Sequence, residues 1–363
     1  MKVTVTQENL SKALGIVSRT ASSRTTLPIL GNILIKAETG ELVLSSTNLE
    51  TATTQKIPAS TSKSGVTTVP ARLITEFISN LPKVNIEIEL VDDKMKITAG
   101  SYKSTINATA ADDFPALPEL AAKATLKIST DNLKKAIAST SLVASSDTTR
   151  PILTGVYLHS FEGNLYMAAT DGYRLAEKNI MPFTTEINAI IPATTLNDVS
   201  RVLSDDTSEV VIGVGEDQVE FVIGQTSINS RLIDGNFINY RQLIPTSAET
   251  EAVIDRAELL RITKISELFA RESAGSITLN ISSAKSTLSV HSIASELGEN
   301  DAETEGETKG DGNITLNSKY LLDALNQIDE DIVKLQFNGK LAPILITAEK
   351  DSDYKHIIMP VKS

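Results

Sequence analysis

The chain has 363 residues, 41% hydrophobic and 22% charged; that is the balance of a folded globular protein with apolar material for more than one core, and it excludes a disordered chain. Cysteine is absent, which removes disulfides, thiol nucleophiles and thiolate metal sites and suits a reducing, cytoplasmic setting, and no run approaches the ~18 apolar residues of a membrane span. The net charge of -12 argues against a surface that binds nucleic acid all over.

In chain order, Val3 and Val5 alternate as a short strand, and Leu10, Ala13, Leu14 and Val17 then fall at 3/4 spacing, which predicts a helix over 7–20 with one apolar face. Strands are expected at Ile33–Lys36 and Leu42–Leu44, a helix over 71–82 behind Pro70, and a strand at Ile86–Leu90. The same order then restarts. Leu126–Ser129 leads into a helix over 131–145 with Asp131 as its expected N-cap, followed by strands at Val156–Leu158 and Leu165–Met167, a helix over 193–204 behind Pro192, and a strand at Val210–Val214. A third, more diverged pass runs through a helix over 255–271, strands at Ile277–Ile281 and Leu288–Val290, a helix over 317–328 and a strand at Ile344–Thr347.

Identity supports the first two passes directly. Ala21-Ser-Ser-Arg-Thr-Thr-Leu-Pro-Ile-Leu30 returns as Ala144-Ser-Ser-Asp-Thr-Thr-Arg-Pro-Ile-Leu153, and the same offset of 123 carries Leu10 onto Leu133, Leu42 onto Leu165 and Thr47 onto Thr170. The expected fold is therefore α+β, with three similar domains at 1–121, 122–248 and 249–363, each two helices on antiparallel sheet. A period this long is unlike a solenoid, so each copy should hold its own core.

Over the six predicted helices the sequence places 11 basic and 8 acidic residues, leaving 23 basic and 38 acidic elsewhere. If the helices share one side, that side is mildly positive on an acidic body. Such a surface suits loose, sequence-independent contact with a phosphate backbone.

Leu27-Pro-Ile-Leu-Gly-Asn32, Thr67-Thr-Val-Pro-Ala-Arg72, Ala111-Asp-Asp-Phe-Pro115, Ala169-Thr-Asp-Gly-Tyr-Arg-Leu175 and Ile358-Met-Pro-Val361, in this order and spacing, resemble the bacterial DNA polymerase III beta subunit family, the replicative sliding clamps. The resemblance runs end to end. It implies a head-to-tail homodimer whose six domains close a ring around double-stranded DNA, with helices lining the hole. It also implies a non-catalytic role, tethering the replicative polymerase catalytic subunit for processivity, and docking of the clamp loader and of repair and translesion proteins by short linear peptides.

The DNA contacts so implied are Arg24 and Arg72, with Ser146, Asp147 and Arg150 in the second repeat's loop, where Asp147, Pro151 and Ile152 depart from the expected polar and aromatic residues. The implied peptide pocket uses Leu153 and the run Thr170, Gly172, Tyr173, Arg174 and Leu175. It also uses Leu243 near the end of the second domain, Tyr320, Pro343 and Ile344 of the third, and Ile357, Met359, Pro360 and Val361 at the end of the chain. Ile238 and Gln242 stand at pocket positions where proline and arginine are expected, so peptide preference should differ. Apolar residues give anchor burial there, Met359 adapts to different peptides, and Gly172 admits close backbone approach. At the dimer contact, Ile106, Leu268 and Phe269 are the apolar candidates, with Lys103 or Arg72 facing the acidic run Glu296–Glu305.

Catalysis finds no support: His159, His291 and His356 lack ligand spacing, there is no phosphate-binding Gly-rich loop, and neither metal nor cofactor is expected. The rival reading is an acidic cation-binding or other protein-interaction scaffold that does not encircle DNA. Asp301-Ala-Glu-Thr-Glu-Gly306 begins like a calcium loop, but Gly312 stands where the bidentate Glu is required, and the acidic run is otherwise readable as a solvated loop.

Overall fold

A computed structural model describes residues 1–21, 27–204, 207–295, 298–351 and 353–361. One order of elements occurs three times, with one short strand, Ser60–Lys63, as an addition in the first pass. The first pass is β1 (Lys2–Thr6), α1 (Gln7–Val17), β2 (Asn32–Glu38), β3 (Glu41–Thr47), β4 (Thr51–Pro58), β5 (Ser60–Lys63), β6 (Gly65–Pro70), α2 (Ala71–Ser79), β7 (Asn85–Val91), β8 (Lys94–Ala99) and β9 (Tyr102–Asn107). The second is β10 (Ala124–Ser129), α3 (Thr130–Ser141), β11 (Gly155–Phe161), β12 (Asn164–Thr170), β13 (Arg174–Pro182), β14 (Asn188–Pro192), α4 (Ala193–Val202), β15 (Glu209–Val214), β16 (Gln218–Ile223) and β17 (Thr226–Arg231). The third is β18 (Thr250–Asp255), α5 (Arg256–Ala270), β19 (Ser276–Ser282), β20 (Thr287–Ala294), β21 (Gly298–Lys309), β22 (Gly312–Asn317), α6 (Ser318–Leu325), β23 (Ile332–Phe337), β24 (Ile344–Ala348) and β25 (Tyr354–Ile358).

The compact units cut across these repeats. One holds residues 1–133 and 194–232, the other 134–193 and 233–363. The reason is strand pairing between consecutive repeats. In the first unit β17 pairs with β4, giving an eight-stranded sheet of order β10-β15-β16-β17-β4-β3-β2-β6 beside a five-stranded sheet β5-β1-β7-β8-β9. In the second unit β25 pairs with β13 within a twelve-stranded sheet, β14-β11-β12-β13-β25-β24-β23-β18-β21-β20-β19-β22.

Helical periodicity placed the cores. Leu10, Ala13, Leu14 and Val17 of α1 are each at most 1% exposed and pack with Ile74 and Ile78 of α2 against the inward residues of β2, β3, β7 and β8. Burial of each such large side chain stabilises by about 1.5–3 kcal/mol. The helices end sooner than the patterns predict. At α1 the hydroxyl of Ser46 donates to the Val17 carbonyl at 2.5 Å, taking an acceptor that a further turn would need. Asp131 is not the cap of α3: Ser129 Oγ accepts from the Asn132 amide at 3.3 Å, and Asp131 lies in the first turn, where its charge suits the helix dipole. Within the observed bounds the helices carry nine basic and seven acidic residues, a smaller excess than the longer predicted helices gave.

The acidic run is not a loop. Gly298–Lys309 is the regular strand β21, with Glu299, Asp301, Glu303, Glu305 and Glu307 all at alternate positions along its solvent side. Extended backbone through Asp301–Gly306 does not wrap a cation as the calcium-loop comparison required. Gly306 sits where β21 passes from pairing with β20 to pairing with β18; a Cβ there would lie 2.2 Å from Ile254 Cδ1. Among the described residues no helix is long and apolar enough to cross a membrane.

Candidate functional site

The candidate pocket begins at the turn between β12 and β13, which its own side chains hold in shape. Thr170 Oγ1 donates to the Arg174 carbonyl at 2.6 Å and accepts from the Gly172 amide at 3.0 Å. Asp171 Oδ1 accepts from the amides of Tyr173 and Arg174 at 2.9 and 3.0 Å. Gly172 takes the left-handed φ of +92° that closes this turn. Tyr173 is thereby left standing in solvent, 61% exposed.

Arg174 is turned inward instead. Its side chain is 9% exposed and bridges Asp171 Oδ2 at 3.1 Å and Asp323 Oδ2 of α6 at 2.5 Å, donates to the Leu142 carbonyl at 2.9 Å, and lies 4.4 Å from the centroid of the Tyr320 ring. This arginine ties the turn to the end of α3 and to α6, so within the candidate site it acts as a positioning residue. Tyr320 is half-buried beneath it; burial first, then the charge of Asp171, pushes its hydroxyl pKa up.

The end of the chain docks by backbone bonds. The Met359 amide donates to the Tyr173 carbonyl and the Val361 amide to the Thr315 carbonyl, each at 2.8 Å, so that Met359 and Val361 remain 38% and 42% exposed while Pro360 is half-buried. Leu175 and Ile357 are cross-strand neighbours inside a small core with Ala168, Tyr240 and Leu345, and Ile344 is wholly buried opposite Ile358. They form the base beneath the surface; Leu153 and Pro343 are half-buried.

Ile238, Gln242 and Leu243 lie on an exposed segment anchored by residues that the sequence reading did not single out. Tyr240 is buried and donates from its hydroxyl to Glu177 Oε2 at 2.6 Å, while His159 Nε2 meets the same hydroxyl at 2.7 Å. Glu177, 1% exposed, is also paired with Arg241 at 2.9 Å and Lys355 at 3.2 Å, and the Arg241 guanidinium stacks 4.0 and 4.3 Å from the rings of Phe161 and Tyr166. Burial, then the charge of Arg241, lowers the His159 pKa to about 4. A usable signal existed for Glu177: strand period 2 puts it on the same inward face as Leu175.

In the loop before β11, Asp147 organises the backbone. Its Oδ1 accepts from the Thr149 hydroxyl and amide at 2.6 and 3.0 Å, and these bonds lower its pKa. Arg150 Nε lies 3.2 Å from Asp147 Oδ2, and its Nη1 comes within 3.7 Å of where a Cβ on Gly172 would stand, beside the pocket turn. Ser146 is exposed. Arg72 projects from α2 with Nε 2.9 Å from Glu76 Oε1, and Arg24 lies outside the described residues. Of the dimer candidates, Lys103 and Leu268 are exposed and Phe269 is half-buried. Ile106 is corrected: it is 6% exposed and faces the first core, because its position on β9 alternates inward.

Three family models cover nearly all of the chain: the DNA polymerase III beta subunit N-terminal domain matches residues 1–118, the central domain 127–239 and the C-terminal domain 241–362. The beta sliding clamp of Bacillus subtilis (strain 168) is 29% identical over 377 residues, with 100% of both chains covered. A crystal structure of the B. subtilis DNA polymerase sliding clamp aligns with a TM-score of 0.96 at 29% identity, covering 100% of this chain and 99% of that one. A Pseudomonas aeruginosa sliding clamp solved bound to griselimycin aligns with a TM-score of 0.95 at 28% identity, with 100% of both chains covered. The chain belongs to the DNA polymerase III beta subunit family, the bacterial sliding clamps, which are non-catalytic processivity factors.

Proposed function

We propose that two copies of this chain join head to tail in a closed ring around duplex DNA, tether the replicative polymerase topologically, and take short peptides of the polymerase, the clamp loader and repair proteins at the Tyr173–Met359 surface. The domains in this reading divide at 121/122 and 248/249, and the compartment is the cytoplasm.

The observation that carries the ring is a repeated edge pairing. The third strand after the opening helix takes the last strand of the next repeat twice: β4 pairs with β17 over Thr51–Gln55, and β13 with β25 over Arg174–Lys178. Among the described residues, the corresponding strand of the third repeat, β21, pairs over Gly298–Glu305 with β20 alone, and the last strand of the first repeat, β9, pairs with β8 and ends its sheet. A second copy supplies the missing partner for each. Charge favours the match, since Lys94, Lys96 and Lys103 on β8 and β9 would approach Glu299, Asp301, Glu303 and Glu305 on β21. Leu268, 50% exposed, and Ile265, 42% exposed, add apolar surface on α5, which packs on β21.

DNA contact in this reading comes from Arg24, Arg72, Ser146 and Arg150, with Asp147 shaping the loop that holds the last two. Helix pairs such as Arg72–Glu76, Arg201–Asp198 and Arg261–Glu258 temper the positive charge. Exposed pairs of this kind are worth about 0–1 kcal/mol, so phosphates exchange with them readily and the ring slides. The test is loading onto nicked circular duplex followed by a single restriction cut. The chain should stay on the circle through gel filtration and leave once the circle is cut; loss at equal rates from circle and line would overturn topological binding.

A further inference from the structure

The buried carboxylate of Glu177 faces two other segments at once. Its Oε2 accepts from the Tyr240 hydroxyl at 2.6 Å and lies 2.9 Å from Arg241 Nη2, while Oε1 lies 3.2 Å from Lys355 Nζ. Glu177 stands four residues beyond Tyr173, on β13; Lys355 stands four before Met359, on β25; and Arg241 adjoins the exposed Gln242 and Leu243. One carboxylate therefore meets three stretches of chain that supply the candidate pocket.

These stretches are held unequally. β25 is paired along both edges, with β13 and with β24, so it needs no side chain to keep its place. Among the described residues, the 237–244 segment pairs with no strand. Its ends are seated by Phe237, stacked 4.9 Å from the Tyr157 ring, and by Ile244 against the small core, with the single turn Tyr240–Leu243 between them. In that turn burial fixes Tyr240, but hydrogen bonds do not fix Arg241. Among the described residues neither its Nε nor its Nη2 makes one, and Nη2 meets Glu177 at ion-pair distance without the geometry of a directed bond. The guanidinium is held by the charge of Glu177 and by the rings of Phe161 and Tyr166, 4.0 and 4.3 Å away. Around a carboxylate this deeply buried, low dielectric strengthens that attraction.

We infer that Glu177 is a positioning residue of the peptide site: its charge draws in Arg241 and so fixes where Gln242 and Leu243 stand. The inference rests on the reading of the Tyr173–Met359 surface as a peptide pocket for the effect on affinity, and not for the seating of the turn. The test is a titration of the full-length chain, 13C-labelled at Ile, Leu, Val and Met methyls, with acetyl-Ser-Leu-Ala-Phe-Ser-amide, whose two apolar side chains fall on one face of an extended chain. In the parent, saturable shifts are expected at Met359 and Leu243. Glu177→Gln keeps an acceptor for the Tyr240 hydroxyl and removes the charge. In the free variant the methyl order parameters of Leu243 should fall, and with the turn seated about a tenth of the time the peptide should bind roughly tenfold more weakly. Arg241→Met replaces a side chain partly in solvent, should produce the same two changes, and decides the question if Glu177→Gln does not fold. Adding Glu177→Gln to Arg241→Met should change affinity by less than about threefold, because the charge acts through the guanidinium; a role in packing alone would make the two losses additive. Unchanged Leu243 order parameters in both single variants, or additive losses, overturn the inference. A parent chain whose Met359 stays silent sinks the Tyr173–Met359 reading instead, and a fall in Leu243 order on loss of the charge then leaves the seating role standing.

Discussion

Arg174→Ala tests the positioning of the candidate pocket. Removal of the guanidinium leaves the carboxylates of Asp171 and Asp323 facing one another and the Leu142 carbonyl without its donor. Breaking a fully buried pair costs about 3–5 kcal/mol. Here the two aspartates keep 17% and 28% side-chain exposure, so water screens part of the loss and the lower end applies, about 3 kcal/mol including the stacking on Tyr320. The amides of Tyr173 and Arg174, both bonded to Asp171, are local reporters, and their hydrogen exchange should accelerate about 100-fold in Arg174→Ala. Adding Asp323→Ala removes one stranded charge and should restore about 1 kcal/mol, a coupling readable as a double-mutant cycle. Turn amides that exchange within about threefold of the parent in Arg174→Ala would refute the argument that this residue holds the pocket in shape.

The two buried histidines give a pH prediction of definite sign: burial lowers the pKa of His159 to about 4 and of His356 to about 3, so the unfolded chain takes up protons first as pH falls below the ordinary value near 6.5. Stability contributed by both is complete above about pH 6.5 and should decline by up to about 4 kcal/mol by pH 5, read as a falling urea midpoint; an unchanged pH slope in the His159→Gln, His356→Gln double variant would contradict this. Charge reversal at Arg24 and Arg72 should reduce the salt dependence of DNA binding, by a slope of about one for each phosphate no longer neutralised, while sedimentation shows an unchanged dimer. Equal losses in both measurements would assign these arginines to fold or interface.

Much of the fold is legible because a duplicated core is a repeated constraint on sequence. Leu10 and Leu133 recur because each must face inward from the first helix of its repeat, and both are buried. Helix ends were harder, since the Ser46 hydroxyl that takes the Val17 carbonyl comes from 29 residues away and leaves no local mark. The acidic run misled through composition: five carboxylates suggested a loop, although their alternate spacing was itself a strand signal. In the candidate pocket the exposed Tyr173 and Met359 were foreseeable, whereas the Glu177–Tyr240–Arg241 anchor depends on side chains 63 or more residues apart. Buried charge networks of that kind follow from tertiary pairing, which periodicity does not encode.

The β4–β17 and β13–β25 ladders each join five residue pairs, and in both cases the chain itself also connects the two sides, through residues 108–123 and 232–249. A ladder that frays there is rejoined at the millimolar effective concentration that a short linker enforces. In the proposed ring the β21–β9 ladder has no such covalent leash. Its reclosure after fraying depends on the opposite joint and, once both have parted, on the bulk concentration of free chains. A loader that needs a gap for DNA would therefore find it at this untethered joint, and dilution would lengthen the time that fully parted chains stay apart without weakening any single contact.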